Sequence, residues 1–171
     1  MSFLTASIKR FAEYKSLAEK AMDQLEEKDF HNNPSAESNS IAIIIQHMHG
    51  NMMSRWTNFL TEDGEKEWRK RDDEFEEHPL SRQELLKRWD DGWKVLMDTL
   101  ASLKEDDLEK TVTIRSQPLT VTDAILRQLA HYGYHVGQIV FLARWIKGPG
   151  WHSLSIPKGG SDAYTQKLNQ K

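Results

Sequence analysis

Apolar residues recur at intervals of three and four in four separate stretches of the chain, the spacing of helices that each turn one face away from water. In the first, Phe3, Ile8, Phe11, Tyr14, Leu17, Ala18, Ala21, Met22 and Leu25 make the stripe, which ends before the polar run "HNNPSAESNS". In the second, Ile41, Ile44, Ile45, Met48, Met52, Trp56 and Phe59 share a face; Ser38 or Ser40 can cap its start and "TEDGE" stops it, predicting a helix over roughly 41–60. The third carries Leu85, Leu86, Trp89, Trp93, Leu96, Met97 and Leu100. It begins at "PLSRQE", where Ser81 and Glu84 stand at the spacing of a capping box. The fourth, with Val121, Ile125, Leu129, Val136, Ile139 and Ala143, is predicted over about 121–147, from the Thr120 and Asp123 cap to Gly148, Pro149 and Gly150.

Between these stretches the pattern changes. Residues 62–77 mix both charges densely around Trp68 and Phe75 and read as an irregular, solvated connection. The alternating "TVTIR" before the fourth helix reads as a short strand or extended segment. Residues 149–171 read as a tail along the surface. Four long one-faced helices bury those faces most simply against one another, so the expected architecture is an all-α four-helix bundle in a single domain spanning 1–171.

Composition narrows the chemistry. The formal net charge of −3 offers no basic surplus for phosphate neutralisation, which argues against a nucleic-acid partner. The longest wholly apolar run, Ile41 to Ile45, is far short of the roughly 20 residues that span a bilayer. With polar and charged residues throughout "MSFLTASIKRFAEYKS" and no secretory h-region there, a cytoplasmic protein is expected. The chain has no cysteine, so any thiol chemistry must arrive with a cosubstrate.

Candidate chemistry concentrates on histidine. In "HYGYHVGQI", His131 and His135 are four apart and border the apolar stripe of the fourth helix, where two imidazoles can share one ion. The glutamate of the metalloprotease helix motif is absent, since position 132 is Tyr. In the second helix, His47 flanks the stripe on the Asn51 side and His49 flanks it on the other, and periodicity does not choose between them. The plainer reading of His131 and His135 is a hydrogen-bonded pair near the surface. His31, His78 and His152 fall in polar connections or the tail and read as solvent-exposed. Trp56, Trp89 and Trp93 read as core packing, and Trp68, beside Arg69 and Arg71, as stacked on a guanidinium.

The segments "NSIAIIIQHMHGN" and "TVTDAILRQLAHYGYHVGQIVFLARW", set in a four-helix pattern, resemble the DinB-like, YfiT-type proteins, a family that includes bacillithiol-dependent transferases. The resemblance runs over nearly the whole chain. It implies an up-down-down-up bundle with a divalent metal held by one histidine of the second helix and two of the last, here His47, His131 and His135. It also implies a homodimer. At the place of His49 the family more usually carries a small or apolar residue.

Three neutral imidazoles with an open coordination position suit zinc, nickel or another first-row divalent ion. The expectation is a metal-dependent enzyme acting on a small molecule, in first place an S-transferase that uses a low-molecular-weight thiol on an electrophile. Metal-dependent hydrolysis is the rival, and a non-catalytic metal-clipped or dimerising bundle is the alternative from another class. Asn51, Arg55 and Gln138 are the expected substrate contacts or partners of the ligating rings, with Arg55 equally readable as an ordinary solvated helix residue.

Overall fold

The computed structural model describes residues 2–169. It is mostly helical, with α1 (Phe3–Met22), α2 (Ile41–Trp56), α3 (Arg82–Ser102), α4 (Val121–Lys147) and a short α5 (Ser161–Asn169). A two-stranded antiparallel sheet, β1 (Thr111–Ile114) and β2 (Gln117–Thr120), precedes α4. The long helices start where the hydroxyl side chains allow. Ser40 Oγ accepts from Ile43 N–H and Thr120 Oγ1 from Asp123 N–H, while Ser81 and Glu84 form the reciprocal box.

Helix α2 packs most extensively on α3, and α1 on α4; the square is closed by α2 on α4 and α1 on α3. Each long helix places one aromatic ring at the centre. Phe11, Trp56, Trp93 and Tyr132 are all at most 1% exposed. Phe11 lies 6.4 Å from Trp56, 6.4 Å from Trp93 and 5.9 Å from Tyr132, centroid to centroid. Two of its polar groups are paired, as Trp56 Nε1–H donates to Tyr132 Oη (3.0 Å), whose hydroxyl donates to Asn51 Oδ1 (2.9 Å), while Trp93 Nε1 is buried without a partner.

The structure corrects several expectations. Helix α2 ends at Trp56 rather than near 60, because Thr57 is extended and Asn58 is left-handed at φ 50°. Phe59 still reaches the core from the turn that follows, 4.8 Å from Trp56, so the stripe ran on after the helix had stopped. Leu25 likewise packs from a turn beyond the end of α1. The expected extended segment is strand β1, and residues 117–120 form β2 as its partner. The connection at 62–77 is not simply solvated. Lys66 is buried, the Arg69 and Glu74 side chains are largely enclosed, and a 3-10 turn at Asp72–Phe75 lies against α2. In the expected tail, Trp151 and Leu154 pack on the core and α5 follows; its residues 170–171 lie outside the described residues. Among the described residues, no helix is long and apolar enough to cross a membrane.

Candidate metal centre

Helix periodicity sets His131 and His135 one turn apart on α4, and the packing of α2 against α4 brings His47 to them. The Nε2 atoms converge: His47 to His131 is 3.3 Å and His131 to His135 is 3.0 Å. Among the described residues, these three form a group whose candidate ligand atoms all lie within 4.8 Å of one another.

The far side of every ring is tied to an oxygen. His47 Nδ1 is 3.0 Å from Glu74 Oε2, His131 Nδ1 is 3.3 Å from Gln128 Oε1, and His135 Nδ1 is 2.8 Å from Gln138 Oε1. A carboxylate and two amide oxygens only accept, so each imidazole donates from Nδ1 and turns an Nε2 lone pair inward. Three lone pairs at these separations repel unless a cation lies among them. Imidazole bonds of about 2.0–2.1 Å at tetrahedral to octahedral angles set donor atoms about 2.8–3.4 Å apart, so the His47–His131 and His131–His135 separations fit a first-row divalent ion.

The electrostatics keep the two rings of α4 unprotonated. Burial pushes the His131 pKa down to about 3, helped by His135, His47, Arg55 and Arg69, and burial with the nearby His47 pushes His135 down to about 4. Burial alone would raise the Glu74 carboxyl, but hydrogen bonds from Arg69 and His47 hold it below its ordinary value. Arg69 reaches Glu74 through two bonds of 2.7 Å, and Phe75 stacks on His47 with centroids 4.7 Å apart. The connection after α2 therefore supplies both the support and the lid of His47.

Above the imidazoles opens a cavity of ≈ 450 Å³, lined by the three histidines together with Asn51, Tyr134 and five arginines. Of the expected contacts, Gln138 binds His135 directly and also donates to Tyr134 Oη (3.0 Å). Asn51 lines the cavity and accepts from Tyr132 rather than from an imidazole. Arg55 is not a solvated helix residue. It is buried, donating to Gly64 O and to Glu65 Oε2 (2.9 Å).

His49 lies away from the group, toward α3, where Arg88 and Asp91 act on it. His31 is not simply solvent-exposed, since its Nε2 meets Leu80 O at 2.9 Å and its Nδ1 meets Glu77 at 3.3 Å. Trp68, expected on a guanidinium, is 58% exposed at the mouth of another cavity, and Arg71 instead covers Phe75 at 5.1 Å. Glu74 and Gln128 were not among the expected site residues. Gln128 and Gln138 flank the histidines symmetrically in "QLAHYGYHVGQ", three residues before and three after, a signal that was present. Glu74 had none, standing among Glu62, Glu65, Glu67, Glu76 and Glu77.

A family described as "Protein of unknown function (DUF1572)" matches residues 1–160. The chain belongs to the DUF1572 family. The match takes in every residue of the DUF1572 centre just described, from His47 to Gln138, together with the connection that carries Glu74. Curated proteins give no match to this DUF1572 chain.

Proposed function

We propose that this DUF1572 chain is a DinB-like, YfiT-type four-helix bundle and a divalent-metal-dependent enzyme. In this reading His47, His131 and His135 hold zinc or nickel, and the enzyme transfers a low-molecular-weight thiol to a small electrophile. The observation that carries the reading is the convergence of three Nε2 atoms, each backed by an acceptor on Nδ1, beside a cavity of small-molecule size. Four long helices around one aromatic core support the bundle.

When bound, such an ion is a Lewis acid that makes a ligated thiol or water nucleophilic at neutral pH. The chain's own residues do the rest. Glu74, Gln128 and Gln138 hold the rings in the Nδ1–H tautomer, and Phe75 shields His47 from water. Among the described residues, no carboxylate lines the cavity to take a proton from water. That favours a thiol, which ionises unaided at about pH 8.5. The expected homodimer has a surface to use, since Tyr134, Phe141 and Trp145 make an exposed stripe along α4.

The test is a mass-spectrometric assay of zinc- or nickel-loaded protein with a halogenated or epoxide electrophile, with and without a small thiol. Thiol-dependent conjugate that is lost in His135→Ala supports transfer. Electrophile breakdown without thiol points to hydrolysis. Metal retention without either product leaves a metal clip.

A further inference from the structure

Five arginines line the cavity over the imidazoles: Arg55, Arg69, Arg71, Arg115 and Arg127. They come from α2, the connection after it, the tip of the β1–β2 hairpin and α4, so no single helix face gathers them. Among the described residues, no Asp or Glu side chain lines the same cavity. The carboxylates paired with these arginines stand behind them. Glu65 meets Arg55 at 2.9 Å, Arg115 at 3.1 Å and Arg69 at 3.6 Å, and Glu74 holds Arg69. Asp72 approaches Arg71 only at 3.8 Å, from solvent. Arg127 has no ion pair among the described residues.

Two further observations show a prepared site. Arg55 is 6% exposed, yet its Nε is buried without a hydrogen-bond partner although the rest of its guanidinium is fixed by Gly64 and Glu65. An unpartnered donor of this kind is costly unless a ligand satisfies it. Arg115 and Ser116, at the hairpin tip, both adopt the left-handed region, at φ 53° and 60°, where glycine or asparagine is the usual occupant. Asp63 accepts from both of their backbone N–H groups, at 2.9 and 2.8 Å. A strained turn is thus clamped in the position that puts Arg115 on the cavity rim.

We propose that this cavity binds a small organic anion, its carboxylate or phosphate group held by the arginine ring and the rest of the molecule lying against the three imidazoles. Guanidinium forks match both groups bidentately, and an excess of positive charge on the lining draws the anion in. Arg71, Arg115 and Arg127 are exposed, so their share of the attraction weakens with salt. Only the orientation of the ligand rests on the metal-centre reading; the charge selection does not.

The experiment measures metal content and anion affinity separately on the full-length chain, both zinc-loaded and chelator-treated. The probes are inorganic phosphate, succinate and uncharged succinamide, titrated calorimetrically at low and high salt. Phosphate or succinate binding in both metal states, with no binding of succinamide, is expected, and their relative affinities tell a phosphate ligand from a carboxylate. Arg127→Gln and Arg71→Gln, both surface changes, should each weaken anion binding about tenfold with metal content unchanged. Absence of anion binding below about 10 mM, or unchanged affinity in both variants, overturns the inference while leaving the metal reading intact. Anion binding that persists in a protein unable to take up metal supports the arginine ring and removes the metal reading instead.

Discussion

Glu74 shows how much one side chain outside the imidazole group governs it. It accepts from His47 Nδ1 and is clamped by Arg69, so Glu74→Gln should weaken zinc affinity about 10- to 100-fold, read by competition with a chromophoric chelator. Gln138→Leu should do the same through His135. Gly50 offers a less direct test. A Cβ placed there would stand 2.7 Å from Glu74 Cδ, and Glu74 has no free direction to move while Arg69 and His47 hold it. Gly50→Ala is therefore expected to lower zinc affinity about tenfold with little change in helix content by circular dichroism. His49→Ala, one residue away in sequence but facing α3, should leave affinity unchanged.

At the level of elements, the hairpin and the connection after α2 are joined through Asp63. Burial opposes its ionisation, but hydrogen bonds from the backbone N–H groups of Glu65, Ser116 and Arg115 hold its pKa down to about 2, against an ordinary 3.8. A depressed folded-state pKa means that the unfolded chain binds the proton more readily. The contribution of Asp63 is therefore complete above the ordinary value and is lost as pH falls from 3.8 to about 2. Asp63→Asn should remove that part of the acid sensitivity, seen as a flatter dependence of the thermal midpoint on pH across this window. In the same turn, Ser116→Gly relieves a left-handed serine and should stabilise the fold by about 1 kcal/mol in urea titrations.

Across the whole molecule, stability centres on the rings that the four long helices contribute to one point. Trp93 is fully buried between Phe11, Trp89 and Tyr132, so Trp93→Ala should cost about 3–5 kcal/mol by denaturant titration. The outer face of α4 carries the opposite kind of feature, an apolar stripe in water, with Tyr134 61%, Phe141 66% and Trp145 51% exposed. If a second copy covers it, light scattering will give twice the chain mass for the wild type and the single mass for Trp145→Glu. A single mass for both removes the dimer.

The sequence alone determined where the long helices begin and which faces they bury, because caps and 3.6-residue periodicity act within a few residues. It also set His131 beside His135, a distance fixed by one turn of one helix. Tertiary structure decided the rest. His47 and His49 border the same stripe, and only the packing of α2 between α3 and α4 turns one toward the pair and the other away. Glu74 reaches His47, and Arg69 and the hairpin's Arg115 reach the cavity, through an aperiodic connection and a strained turn, where charge pairing across distant segments replaces pattern. Local geometry is written in neighbouring residues, whereas the meeting of remote ones is settled by which helix faces can be buried together.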